Sequence, residues 1–524
     1  MHLRRPLEIR LAVMLACAVL AASSTSVSAA TTHWVNDNTP NGSPHDPPGR
    51  SCNKPGYPTI QSAVDTAAPG DRINVCPGTY TEEVTIPAGK DDIVLRSVRF
   101  WAAVIKAPPV MLGPTQSIVR VNGARDVTIL AFTITGPGGG PCDSLRYGVR
   151  VDDGGSADIL ANHITQIHDT PFSECPNGIA VQVGERNELT VGSARILGNA
   201  IDTYQRNGPR VSNEGSFAEI AYNRIFGVGP TMVRPQNGVS VTGGATATVR
   251  HNFIAGNIFA QQTIHSTGII LFQSGQVTVD HNTLTSNDTG VGMFEPAPGS
   301  ATTHNRVRAS TFDGVSLAPA NGHRVAFNKV DENNGPGIGV YFSQGNELQS
   351  NFIERNSGSG LLLDDAHGNE VDGNRVRRNG TESGDTTDGI RLTELSTLNT
   401  LRNNHLSDNV THDCHDDSVG PGAAGTANFW IDNHGQTSQP QGLCTADDQD
   451  DDDDHDGDDH HDGDDDHDRG DDHHGDNDHD RDGDHHSWKR AHAAGWDARY
   501  AWYFHGRPLG AAFDDWRRSA GPRD

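Results

Sequence analysis

Through the middle of this chain, apolar residues alternate with single intervening positions and are cut at regular intervals by glycine and asparagine. Val315 with Leu317, Ile338 with Val340, Leu361 with Leu363, and Ile390 with Leu392 each skip one position, the period of a half-buried strand. A second apolar set, Val325 with Phe327 or Leu348, and a third, Val330 or Ile353, follow within the same units. The units repeat: Asn282, Asn305, Asn328, Asn351 and Asn374 are 23 residues apart, and a Gly-apolar-x-apolar run stands 14 residues before each of the last three. Looser copies place Asn162, Asn199, Asn223 and Asn252 ahead of the strict register, and Asn404 behind it. A fixed period of this size signals a solenoid. No unit holds the roughly 10 to 12 residues of an amphipathic helix that a helical repeat needs. Three short strands per turn, each paired with its counterpart in the next, predict an all-β parallel β-helix of about ten coils, on the order of 50 Å long. The recurring asparagine marks a bend. There it is expected to adopt the left-handed conformation and to bond its amide to the asparagine of the next coil, satisfying polar groups that are costly to bury.

Residues 59–84, TIQSAVDTAAPGDRINVCPGTYTEEV, place Ile60, Val64 and Ala67 at helical spacing and end that helix at Pro69-Gly70, ahead of a strand at Ile73–Val75. Such an apolar stripe covers the open end of a solenoid, whose edge would otherwise expose unpaired backbone groups. This stretch resembles the N-terminal cap and first coil of right-handed parallel β-helix proteins of the pectin-lyase-like superfamily. The 23-residue units are similar to the PbH1 repeats of its NosD-like branch. The resemblance spans roughly residues 55–416 and implies the fold; function must come from the site.

Composition divides the rest. Residues 1–30 carry Arg4, Arg5 and Arg10, an apolar run from Leu11 to Ala22 and a small-residue end, which read as a secretory signal peptide. No later run reaches the roughly 18 apolar residues of a membrane span, so a secreted or cell-envelope protein is expected. Six cysteines remain after the signal, and sequence proximity favours Cys52 with Cys76, Cys142 with Cys175, and Cys414 with Cys444, among 15 pairings that six cysteines allow. The reading divides the chain into a cap and first coils at 31–100, repeats at 101–416 and a closing segment at 417–446 in which Phe429 and Trp430 seal the core. Residues 447–486 hold 22 Asp, 9 His and 2 Arg, a formal −20 of the chain's −28, with nothing apolar to bury. A disordered acidic tail is expected, either a solubilising linker or a low-affinity binder of divalent cations, with Asp478, Asp480 and Asp482 as alternating oxygen donors. The segment 487–524 reverses sign, with four tryptophans and seven Lys or Arg against four Asp. The strongly acidic balance argues against a nucleic-acid partner.

Side chains alternate faces along a strand, so the second and fourth positions after each strand glycine form an outward stripe across stacked coils. Phe272, Phe294 and Tyr341 recur in it and form an aromatic strip suited to sugar faces. Asp364, Asp365, Arg391 and Glu394 bring charge together beside it. Polysaccharide lyases of the resembling superfamily use carboxylates to hold calcium against a uronate and a basic group to remove the adjacent proton. That resemblance implies Asp364 and Asp365 as calcium ligands, Arg391 as base and His367 as acid. The order of these residues departs from the polygalacturonase pattern, and no Gly-His-Gly or Asp-Pro-His-Asp string occurs. A further cluster, THDCHDD, offers Asp413, His415 and Asp416 as metal ligands, against a plain terminal turn pinned by Cys414. No cofactor is established; calcium or another divalent cation is the candidate. Three readings stand: a noncatalytic binder of extracellular or cell-wall polysaccharide, a lyase, hydrolase or epimerase acting on an acidic glycan, and a NosD-like metal-handling protein.

Overall fold

The structure is a computed structural model that describes residues 29–37, 45–142, 144–261, 264–381 and 387–446. The signal segment, the Asp/His-rich tail with Asp478, Asp480 and Asp482, and the tryptophan-rich end lie outside the described residues, apart from positions 29 and 30.

Among the described residues, successive strands do not pair with each other, apart from the short antiparallel pair Gly49–Ser51 with Lys54–Pro55 near the N-terminal end. Along the rod each pairs in parallel with its counterpart one coil on, so Val325 meets Leu348, Val330 meets Ile353 and Ile338 meets Leu361, all at the 23-residue offset. Three parallel sheets result, of fifteen, thirteen and fourteen strands among the described residues. The first runs from Thr32–Val35 to Phe429–Ile431, the second from Gly78–Thr81 to His405–Ser407, and the third from Val84–Pro87 to Ser438–Gln439. The molecule is a right-handed parallel β-helix. Its coils outnumber the ten that asparagines mark, because the coils built on Arg72–Val75, Val94–Ser97 and Val127–Leu130 precede the first ladder asparagine, Asn162. One continuous core of Ile, Val and Leu runs from Val35 to Leu443.

The helix Ile60–Thr66 lies at the N-terminal end with Ile60, Ala63 and Val64 buried. Thr59 caps it by accepting from Ser62 N, and the Glu82 carboxylate accepts from Ile60 N and Gln61 N at 2.8 and 2.9 Å, satisfying donors a helix start leaves open. At the other end Trp430 is buried and its Nε1 donates to Asp416 Oδ2 at 2.9 Å, whereas Phe429, expected beside it in the core, is 46% exposed. The disulfides are Cys52–Cys76, Cys142–Cys175 and Cys414–Cys444, the pairs that proximity favoured.

The asparagine ladder runs from Asn162 through ten further asparagines to Asn433, at the corner between first and second sheets. From Asn199 on, each Oδ1 accepts both the backbone N–H and the Nδ2 of the asparagine one coil before, as Asn351 does from Asn328 at 3.1 and 3.0 Å. The left-handed residue is not the asparagine, as its turn preference suggested, but its predecessor: His281 (φ 53°), Phe327 (58°) and Ser350 (51°). That residue reverses the chain so that the asparagine side chain points inward. Phe327, read as a strand position, therefore stands outside at the bend and is largely exposed.

Two more ladders brace the other corners. Asn257 and Asn287, then Asn333, Asn356, Asn379 and Asn409, link coils between second and third sheets. Asn346, Asn369, Asn399 and Asn428 do so between third and first. Within a coil the three asparagines are five apart, as in Asn346, Asn351 and Asn356.

Candidate functional site

Register turns the outward positions of the third sheet into columns. One reads Arg120, Arg150, Gln182, Arg210, Ser240, Ile270 and Gly292. It continues through Ser316, Gly339, Leu362 and Arg391 to His415. Beside it Thr242, Phe272 and Phe294 align. Although these positions face away from the core, Arg150 and Gln182 are fully buried, and Glu188, on the connection from third to first sheet, meets the Arg150 guanidinium.

Further along the column, a pocket is lined by Arg206, Arg210 and Arg234, with Asn237, Ser240, Ile270 and Phe272 on the sheet and Ile264 and His265 on the wall. The wall is tied to the arginines: Arg206 Nη1 donates to the Pro176 carbonyl at 3.1 Å and Arg234 Nη1 to the Glu174 carbonyl. Cys175, between those carbonyls, is bonded to Cys142 on the preceding coil's connection. Burial, and then the neighbouring Arg234 and Arg210, push the Arg206 guanidinium well below its ordinary value. Burial and Arg210 push Arg234 down to about 10. Three arginines are thus gathered at one pocket, where the Glu185 carboxylate partly offsets their mutual repulsion.

Next to the pocket, charge is balanced internally. The buried Arg150 guanidinium donates to Asp152 Oδ2 at 2.6 Å and to the Glu188 carboxylate, and it lies 5.1 Å from the centre of the Tyr147 ring. Tyr147 Oη donates to Glu185 Oε2 at 3.1 Å, and burial, reinforced by Glu185, pushes the phenol up to about 12. Burial alone would raise Glu185, but Arg210, the Asn187 N–H, Arg150 and Tyr147 outweigh it and hold the carboxyl below its usual value.

The aromatic strip is only partly available. Phe272 lines the pocket and Phe294 is its in-register neighbour, both half-buried. Tyr341 instead folds over its own strand: a Cβ on Gly339 would meet its ring at 2.4 Å. It is 2% exposed, packs with Ala318 and Leu362, and donates Oη to Asp313 Oδ2 at 3.0 Å. Its face is covered, so it offers no stacking platform.

The expected catalytic set separates into two groups. Asp364 Oδ1 accepts from Thr393 Oγ1 at 3.0 Å, while Asp365 Oδ1 and His367 Nε2 are 3.0 Å apart on a bend where Asp365 is left-handed (φ 50°). Glu394 is exposed in the following turn. Arg391 lies two positions along and donates to Asp388 Oδ2 (3.2 Å) and Asp417 Oδ2 (2.8 Å), paired as a cation. An arginine held between two carboxylates is a poor proton acceptor.

Of the expected metal ligands, Asp413 and Asp416 have structural work. Asp413 ends the second ladder, Oδ1 accepting from Asn409 Nδ2 at 2.8 Å, and Asp416 ends the third, Oδ2 accepting from Asn428 Nδ2 at 3.1 Å. His415 faces outward and meets Asp388, with His412 completing the group. Burial disfavours the charged His415 ring, but the bond to Asp388 prevails and raises it. A second group, Asp280 with His281 and His304, lies on the outside of the first corner.

Two overlapping stretches, residues 193–381 and 258–435, match the profile of the family described as periplasmic copper-binding protein (NosD). No curated protein matches the chain. Among solved structures it is similar to the periplasmic alginate epimerase AlgG, at 13% identity over 73% of this chain and 83% of that one, with a TM-score of 0.42. The Azotobacter vinelandii mannuronan C-5 epimerase AlgE4 A-module aligns at 12% identity over 74% and 94%, with a TM-score of 0.39. The catalytic unit of a GH87 α-1,3-glucanase from Streptomyces thermodiastaticus aligns at 14% identity over 78% and 71%, with a TM-score of 0.40. These similarities concern the fold alone. Among the described residues, no helix is long and apolar enough to cross a membrane.

Proposed function

We propose that this right-handed parallel β-helix protein, built on NosD-like repeats of the pectin-lyase-like superfamily, binds an acidic polysaccharide at the pocket on its third sheet. The observation that supports this reading is the convergence of Arg206, Arg210 and Arg234 on one pocket whose floor continues into Phe272. Guanidinium groups suit carboxylates because their planar forks donate in pairs, and an aromatic face beside them suits the apolar face of a sugar ring. The remainder of the chain sharpens the contrast. Removing the −20 of residues 447–486 from −28 leaves −8 for all other residues, so a cluster of three arginines is a local exception. Carboxylate groups spaced along a polymer would meet this cation-rich point, while neutral units lie across Phe272 and Phe294.

The test is titration calorimetry of the full protein with oligomers of a polyuronate and with a neutral glucan of equal length. The Arg210→Ala variant is expected to lose about 10-fold or more in affinity, the value of one charge-assisted hydrogen bond. Binding of wild type should weaken with added salt. Equal affinity for neutral and acidic oligomers, or an unchanged Arg210→Ala, would overturn the reading. Release of unsaturated or reducing ends, followed in the same mixtures, separates a binder from an enzyme.

A further inference from the structure

At the C-terminal end of the same sheet, three side chains from adjacent coils converge in a way the pocket does not explain. Asp388 stands just before the strand Ile390–Leu392, and His412 and His415 flank the start of the strand Cys414–Asp416 that pairs with it. Asp388 is fully buried. Its Oδ1 lies 3.2 Å from His412 Nδ1 and its Oδ2 lies 3.0 Å from His415 Nδ1. We infer that Asp388, His412 and His415 form a binding site for one divalent transition-metal ion of the zinc or copper type.

Four features carry this. The donors are two imidazole nitrogens and one carboxylate, a set that suits zinc and copper(II) and not calcium, which takes oxygen. Ligands about 2.0–2.2 Å from a tetrahedral ion lie roughly 3.4 Å from each other, close to the spacings already present. The imidazole planes are nearly perpendicular, at 79° with centroids 5.0 Å apart, which lets in-plane lone pairs on both rings aim at one point. Finally, His415 Nε2 lies 2.9 Å from Asp417 Oδ1. His415 Nδ1 also faces an acceptor, Asp388 Oδ2, so a bound ion takes the place of the Nδ1 proton while Asp417 keeps the proton on Nε2, the arrangement seen behind metal-bound histidines. Arg391 bridges Asp388 and Asp417, holding both carboxylates in place, while Asp417 offsets its charge against an incoming cation.

The group at the first corner fails the same comparison. His281 and His304 are stacked at 14° with centroids 4.7 Å apart, so their lone pairs lie in parallel planes and do not meet. Asp280 bridges them as a hydrogen-bond acceptor.

An ion held by residues on two coils binds the folded rod and is released on unfolding, so thermal unfolding reads this site. The experiment follows unfolding of the full chain by circular dichroism in a chelator, in zinc chloride, in copper chloride and in calcium chloride. Zinc or copper at about 100 times the dissociation constant should raise the wild-type midpoint by about 3 °C. That rise should vanish in His412→Ala with His415→Gln; because buried Asp388 loses two partners there, each protein's rise is taken from its own midpoint in chelator. The nine histidines of residues 447–486 are present in both proteins, so metal bound there cancels in the comparison. If the double variant does not fold, His412→Ala alone, at a half-buried ring, takes its place. An equal rise in variant and wild type, no rise in wild type with either metal, or a rise with calcium that the variant loses would each overturn the inference.

Discussion

Asn351→Ala tests whether the side-chain ladder, and not the apolar core alone, holds the coils in register. Asn351 Oδ1 accepts from Asn328 N at 3.1 Å and from Asn328 Nδ2 at 3.0 Å, and its Nδ2 donates to the Val325 carbonyl at 2.8 Å and to Asn374 Oδ1 at 3.0 Å. Truncation removes all four. Asn374 Oδ1 still accepts from the Asn351 backbone at 2.9 Å, so it keeps a partner. The Asn328 N–H and one Asn328 amide hydrogen lose theirs, at a residue 1% exposed, while the Val325 carbonyl, in a strand paired with Glu347–Gln349, loses only its second donor. At about 1–3 kcal/mol per stranded buried group, and with water relieving some of it, the expected loss is about 2–4 kcal/mol. Asn334→Ala, at an exposed asparagine of the preceding coil, should cost under about 0.5 kcal/mol. Urea titrations by far-ultraviolet circular dichroism measure both, and the slope must be compared along with the midpoint. In a solenoid, a weakened coil interface lets the two ends unfold separately, which lowers the slope. A loss from Asn351→Ala no larger than that from Asn334→Ala, at equal slope, would refute the ladder's energetic role.

Burial pushes His323 down to about 4 from 6.5, so stability present above pH 6.5 is lost as pH falls toward 4. The 2.5-unit difference amounts to about 3 kcal/mol, and His323→Asn, which puts the ladder residue at that corner, should remove this loss in urea titrations at pH 7 and pH 4. Asp313 acts in the opposite sense: burial raises it from 3.8 to about 7, so its stability is present below pH 3.8 and lost as pH rises through 7. Asp313→Asn should match wild type near pH 4 and exceed it by roughly 4 kcal/mol at pH 8, and equal pH profiles would contradict the assignment. Replacing both Cys142 and Cys175 by serine frees the wall that carries the Pro176 and Glu174 carbonyls; polyuronate affinity should fall at least about 3-fold by calorimetry, with the core strands' hydrogen-exchange protection unchanged.

The period of 23 and the Gly-apolar-x-apolar runs made the solenoid legible, because both report on a core that every coil shares. The second and third ladders were equally visible in Asn346, Asn351 and Asn356, spaced five apart, but a search for one residue per coil passes over them. Phe272 stands on the outward stripe that counting from the strand glycine predicts. Arg210 escaped that count because Pro209 follows Gly208 and breaks the apolar pattern of its strand. Arg206 and Arg234 stand outside strands, where alternation carries no signal. In THDCHDD the donor types were plain, yet their directions depend on the corners: Asp413 and Asp416 turn in to end ladders, and His415 alone faces Asp388 from the strand. Asp388 was passed over as a ligand since it is 24 and 27 residues from its two histidines.

The ladders also account for where chemistry can gather. From Leu160 onward, every connection from first to second sheet among the described residues is two residues long, one left-handed and one asparagine, or a glycine in place of the first. An insertion there would pull an asparagine out of the stack and strand its neighbours' donors, so this corner admits no variation. Coil lengths nevertheless range from 23 to 37 residues between ladder asparagines, and the difference falls at the corners flanking the third sheet. Residues 166–178, 232–236 and 264–266 rise there, supplying the carbonyls that hold Arg206 and Arg234, Arg234 itself and His265. His412 likewise comes from the connection 408–413 ahead of the strand Cys414–Asp416. The rigid corner fixes the pitch, and the two variable corners bring charged groups from different coils onto one face without disturbing the core that carries them.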